Sequence, residues 1–230
     1  ATELRVTEAG QVMRLPGARS VYDLIREEAA LQAARRQVRS TEELADVVRR
    51  RAHVRPLSAI PPVQVERQVV EPGGPERVEL RREDGLRLPG WLWPGRKGAV
   101  EPPVLIVDDR GASAARERAA ALAAGGRMVC ALDVRGWGEL ARTRKFYGSS
   151  WTDEADAIVV YVLGGSLVGE RAEDILVAAR WLSEASGGET VAVEARGWAV
   201  TPALHAAVVE PQVIRSVRGV ERCPTWRTAI

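Results

Sequence analysis

The stretch Val191-Ala192-Val193-Glu194-Ala195-Arg196-Gly197-Trp198-Ala199, with Pro202-Ala203-Leu204-His205-Ala206-Ala207 behind it, decides the fold. Residues 191–195 form a short, mainly apolar run of the kind found in a buried parallel strand. Gly197 allows a tight reversal that a residue with a Cβ resists. The Ala-rich segment after it favours a helix. A buried strand thus passes through one glycine into a helix, and the residue at the apex carries no side chain. In open α/β sheets the carboxyl ends of the strands receive ligands, so the apex is placed for chemistry and has no group to perform it.

Outward from this joint the same alternation continues in both directions. Toward the N-terminus, Pro103-Val104-Leu105-Ile106-Val107 and Met128-Val129-Cys130-Ala131-Leu132 are continuous apolar runs separated by an Ala-rich helical segment, Ala112 to Ala124. Glu170 to Glu184 repeats apolar residues at helical spacing, with Ile175, Ala179 and Leu182 on one face. Val213-Ile214-Arg215-Ser216-Val217 supplies one more strand after the elbow helix. This βαβα order predicts a right-handed, mostly parallel sheet flanked by helices. Before it, Val63 to Val70, Val78 to Arg81 and Leu86 to Trp93 read as antiparallel strands, with Asp84-Gly85 as a type I′ hairpin turn.

The first sixty residues read as a small helical appendage. Ser20 with Asp23, and Ser40 with Glu43, have the spacing of capping boxes that open helices. Pro56, Pro61 and Pro62 then break the pattern. The expected division is residues 1–62 as appendage and linker and residues 63–230 as the α/β domain.

Composition excludes several function classes. The formal net charge of +2 on 230 residues, with both signs interspersed, argues against a nucleic-acid partner. The run Arg49-Arg50-Arg51 reads as a solvated helix end. No apolar run is long enough for a membrane span. Cys130 and Cys223 make neither a disulfide framework nor a metal site, and no metal or other cofactor is expected. The chain opens on Ala1 rather than Met, as expected of a processed or excised piece, secreted or periplasmic if export did the processing.

Two further segments carry a resemblance. Asp133-Val134-Arg135-Gly136-Trp137-Gly138-Glu139 is a D-x-R-G-x-G loop directly after a buried strand, and Gly136 and Gly138 permit its turn. Asp133 and Arg135 are expected to brace it by a charge-assisted hydrogen bond. Gly164 to Leu176 leads through Gly169 into an R-x-x-D helix, with Arg171 and Asp174 on one face. Together with the strand–elbow–helix, these segments resemble the α/β-hydrolase superfamily, in particular its acetyl xylan esterase-like branch, over roughly Glu76 to Val217.

The resemblance implies an elbow of the form G-x-S-x-G, with the nucleophile at its centre. The matching positions are Ala195, Arg196, Gly197, Trp198 and Ala199, so glycine stands where the family has serine. It also implies an oxyanion hole built from the backbone of the residue after the nucleophile, here Trp198, and of the loop after the first parallel strand, here Asp108-Asp109-Arg110-Gly111. Adjacent carboxylates at such a place disfavour catalysis, although Arg110 can offset one. The family's order of Ser, then acid, then His is not met, because the only histidines are His53 and His205. Later strands of the family sheet are missing, so a reduced sheet, or one completed by other sequence, is expected.

The resulting expectation is a catalytically silent hydrolase-like domain with no catalytic residue. Arg196, Gly197 and Trp198 form a vestigial elbow, and Asp108, Asp109, Arg110, Trp137 and Trp198 form a candidate ligand edge. The alternative is an active carbohydrate esterase whose nucleophile or His comes from outside the chain. Carbohydrate is the candidate ligand, since Trp stacks on sugar rings as readily as it fills cores. The candidate partners are a second copy or a companion hydrolase domain, because the strand at 213–217 leaves an apolar sheet edge open to pairing.

Overall fold

The structure, a computed structural model, describes residues 7, 10–37, 40–96, 101–142, 145–146, 149–150 and 153–221. Cys223 lies outside them. The chain divides into two compact units, and the larger begins at Thr41. In the smaller unit, helix α1 (Val21–Ala34) opens with a capping box: Ser20 Oγ accepts from the Asp23 amide and the Asp23 carboxylate accepts from the Ser20 amide. None of the α1 residues is buried.

The larger unit opens with α2 (Thr41–Ala52) and then strands β1 (Gln64–Val69), β2 (Glu76–Arg81) and β3 (Arg87–Trp93), which form an antiparallel meander. The alternating part follows as β4 (Val104–Asp108), α3 (Arg116–Ala123) and β5 (Val129–Leu132). A two-stranded ribbon, β6 (Lys145–Phe146) and β7 (Ser149–Ser150), leads to α4 (Asp153–Val162) and α5 (Leu167–Ala185). The chain then forms β8 (Val191–Arg196), α6 (Val200–Val209) and β9 (Ile214–Val220). The main sheet has the order β1-β2-β3-β5-β4-β8-β9, parallel from β5 to β9. The mostly parallel, helix-flanked sheet expected from the alternation is therefore present.

Each face of the sheet has its own core. Leu105, Val107, Cys130, Leu132, Val191 and Val193 point into the larger one with Ile175, Leu176 and Leu182 of α5 and Ala203 and Ala206 of α6. Val104, Ile106, Val129 and Ala131 meet Ala115 and Ala119 on the α3 side. The period-2 alternation of these strands thus sends each successive side chain to a different helix layer. Two glycines permit close approaches within this packing. A Cβ on Gly90 would lie 2.4 Å from the Ala131 carbonyl oxygen, and one on Gly169 would lie 1.7 Å from that of Ala52.

The domain boundary differs from the division at Pro62. Arg49 of α2 donates to the Val209 carbonyl (2.7 Å), and Arg180 of α5 donates to the carbonyls of Leu57, Ile60 and Pro61. The buried Glu210 carboxylate accepts the Leu57 amide at 2.9 Å. The prolines end the helical pattern, but the carbonyls around them find an arginine donor on α5, so α2 and the linker pack on α5 and α6.

The hairpin turn also differs. Only Gly85 of the Asp84-Gly85 pair has positive φ (81°), whereas a type I′ turn needs it at both. Arg82 and Leu86 pair through the Arg82 amide and Leu86 carbonyl (2.8 Å), and the Gly85 amide bonds back to Arg82. This is a three-residue loop closed by a left-handed glycine.

The braces predicted around the D-x-R-G loop exist with other partners. Asp133 accepts the backbone amides of Ala112 and Glu139, and Arg135 pairs instead with Asp174 and Glu170. Arg171 turns to Asp153 (2.7 and 2.8 Å) rather than Asp174. Asp174, fully buried, receives Arg82 at 2.7 Å and Arg135 at 2.8 Å. Its neighbour Glu173 receives Arg55 and Arg82. Burial works to raise the Glu173 carboxyl, but its hydrogen bonds from Arg55 and Arg82 outweigh it and hold the group below the usual carboxylate range.

Candidate functional site

β4 and β8 are neighbours and parallel, yet the helices that follow them cover opposite faces, α3 on one and α6 on the other. The loops leaving their carboxyl ends therefore diverge, which is the geometry of a ligand crevice in an open α/β sheet. The loop after β4 is Asp109-Arg110-Gly111, and the loop after β8 is Gly197-Trp198.

Gly197 has φ = +61°, the left-handed conformation of a sharp strand-to-helix elbow. A single 3₁₀ turn, Gly197–Ala199, joins β8 to α6. The space over the apex is filled from within the molecule. The Asp109 carboxylate accepts the Trp198 amide at 2.8 Å, and a Cβ on Gly197 would lie 2.2 Å from that same Asp109 Oδ2. Glycine is needed here twice, for its φ and for the room it leaves to the carboxylate.

The rest of the edge is paired as well. Asp108 is buried and accepts the Arg110 side chain (3.0 and 2.8 Å) and amide (2.9 Å). Burial alone would raise its carboxyl, but the Arg110 hydrogen bonds and charge hold it low. Arg196 pairs with Glu221, the residue just beyond β9. Asp133, behind the two loops, is buried, and burial raises its carboxyl despite the two amides it accepts.

The structure thus brings Asp108, Asp109, Arg110, Arg196, Gly197 and Trp198 together and turns the Trp137 side chain into the protein. Trp137 is only 6% exposed; its Nε1 donates to Asp153 at 3.1 Å, and the Arg171 guanidinium lies 3.8 Å from its ring centroid. It is wall material rather than an open platform, packed in the larger core and flanked by the Arg171–Asp153 pair. Trp198 is 47% exposed and keeps its place on the edge.

The two histidines stand apart from this geometry. His53, exposed and at φ = 55°, ends α2, and the amide of Val54 returns to the Arg49 carbonyl across it. His205 Nδ1 lies 2.8 Å from the Thr201 carbonyl of its own helix. Burial pushes the Cys130 thiol up to about 12, so it is no nucleophile at neutral pH. Ser166 is the N-cap of α5 and accepts the Gly169 amide. Among the described residues no group of His, Cys, Asp and Glu is placed to hold a metal ion, and no helix is long and apolar enough to cross a membrane.

Sequence reasoning missed Asp109 as the group that fills the elbow. The signal was available, because two adjacent carboxylates follow β4 and Arg110 can satisfy only one at close range.

Solved structures share this fold. One is a candidate acetyl xylan esterase from Bacteroides fragilis NCTC 9343, with TM-score 0.63 and 12% identity, the match covering 90% of this chain and 61% of that one. This chain has the α/β-hydrolase fold. Acetyl xylan esterase 1 from Thermoanaerobacterium sp. JW/SL YS485 is also similar, with TM-score 0.53 and 17% identity, over 74% of this chain and 56% of that one. The chain therefore spans about three fifths of the length of each. No protein-family model matches it, and no curated protein sequence does.

The geometry at Gly197 gives a direct prediction. Gly197→Ser places a side chain at positive φ and displaces the Asp109 carboxylate. It should destabilise the protein by about 1–3 kcal/mol in urea unfolding. Asp109→Gly in the same background should recover part of that loss. A Gly197→Ser protein as stable as the parent would contradict the geometry.

Proposed function

We propose that this chain works as a catalytically silent α/β-hydrolase-like domain with a structural or binding role in a larger carbohydrate-esterase-like protein or assembly. The observation that carries the reading is the Asp109 carboxylate on the Trp198 amide above Gly197. Acyl transfer at such an elbow needs a side-chain nucleophile at the apex and a free backbone donor for the oxyanion beside it. Here the apex has no side chain, and the donor is already bonded to a negative charge. A nucleophile brought from another chain would still meet the carboxylate where the reacting atoms must sit, which weighs against the reading as an active esterase completed from outside.

A binding role remains open to the edge itself. Trp198 offers an exposed ring beside the paired charges Arg196–Glu221 and Arg110–Asp108, a combination suited to stacking on a neutral sugar. A companion domain or a second copy would add at β9, whose outer side pairs with no strand among the described residues.

Incubation of the purified chain with a fluorophosphonate probe and with p-nitrophenyl acetate tests the silence. The expected result is no stoichiometric serine labelling and no turnover above the buffer rate. Labelling of one serine that competes with substrate would overturn it. Sedimentation velocity across a concentration series tests the β9 edge: reversible self-association that proline substitution at Val217 abolishes is expected if a second copy pairs there. A dimer unaffected by that change would place the contact elsewhere.

A further inference from the structure

A cavity of about 580 Å³ lies at the same carboxyl edge, beyond the elbow, where α4 stands over the loop that follows β5. Its walls are Leu86 of the hairpin turn, Gly136 and Leu140 after β5, Val159 and Val160 of α4, and Leu167 at the start of α5. None of the residues of Asp108–Gly111 or of Arg196–Trp198 lines it. None of the α4 residues is fully buried. The volume is within the range of small-molecule sites, which are mainly apolar with a few polar groups.

The charges around the cavity are already satisfied. The Arg135 guanidinium is held by Asp174 at 2.8 Å and by Glu170. Arg142 Nε lies 3.4 Å from Asp156 Oδ1. Asp84 lies 3.6 Å from Arg82 and 3.8 Å from Arg135. A charged ligand would have to break one of these pairs or be held against a like charge, at a cost that a neutral ligand avoids. The remaining lining side chains are aliphatic. Val162 and Leu163 lie three and four residues beyond Val159 and so continue its face outward; both are more than three-quarters exposed. An aliphatic wall that runs from a cavity onto an apolar strip suits a chain longer than the cavity itself.

We propose that this cavity is a binding site for a neutral ligand with an aliphatic chain, such as a medium-chain alcohol or ester. The site is separate from the elbow and does not depend on the elbow's silence.

The test uses the full chain and the neutral fluorophore N-phenyl-1-naphthylamine, with 1-decanol and decanoate as competitors. Saturable fluorescence enhancement with one site per chain is expected, displaced by 1-decanol at concentrations at least tenfold below those of decanoate. Val159→Asp should weaken probe binding tenfold or more with an unchanged far-UV circular dichroism spectrum, and Val159→Thr should shift it less in the same direction. Tyr161→Asp, on the other side of α4, should leave binding as in the parent. Absence of saturable binding overturns the proposal. So does an equal loss in Tyr161→Asp, which would mark binding to exposed apolar surface. Equal competition by decanoate overturns the argument from paired charge.

Discussion

The carboxylate of Asp174 is the point on which the carboxyl edge of this sheet depends. It is fully buried in α5 and receives two guanidiniums, Arg82 from the β2–β3 turn and Arg135 from the loop after β5, together with the Arg135 amide at 3.1 Å. Arg82 is itself 98% shielded and also reaches Glu173, which holds Arg55 of the linker. One helix thereby fixes the meander, the linker and the D-x-R-G loop relative to one another. A buried ion pair is a weak source of net stability, but loss of one partner leaves an uncompensated charge and typically costs about 3–5 kcal/mol. The network's contribution is therefore position: alternative arrangements of these loops strand a charge away from water.

The same physical rule operates at each loop around the edge. Asp133 ties the backbone of the loop after β4 to that of the loop after β5, through Ala112 and Glu139. Asp108 takes Arg110, and Asp109 takes the amide of Trp198. In each case a carboxylate meets donors at the strand ends, and charge-assisted hydrogen bonds of this kind are stronger than neutral ones. The consequence for function is a crevice whose backbone donor is taken up by the chain's own acid. The charge complement of the elbow is internal to the chain.

Much of this was legible in the sequence because it depends on local pattern. Apolar runs and Ala-rich segments of the right length gave β4, β5, β8 and the helices between them, and Gly197 was readable as an elbow apex at positive φ. Charge pairing was not legible, because sequence proximity misleads where the chain turns. Asp133 and Arg135 are two residues apart, yet the turn at Gly136 sends one to backbone amides and the other to a helix 39 residues on. Trp137 read as a loop aromatic open to ligand, whereas tertiary packing in the core and the pairing of Arg171 with Asp153 bury it. The prolines of the linker read as a boundary, since nothing local announces that Arg180 binds three carbonyls around them.

The central claim is that Asp109 occupies the backbone donor of the elbow. The most direct measurement is the hydrogen-exchange rate of the Trp198 amide, read by NMR in the parent and in Asp109→Ala. Trp198 is about half exposed, so burial alone gives its amide limited protection. The account predicts slow exchange in the parent and a rise of at least tenfold in Asp109→Ala, with the amides of β8 and α6 unchanged. An amide that exchanges freely in the parent, or at the same rate in both proteins, would contradict it.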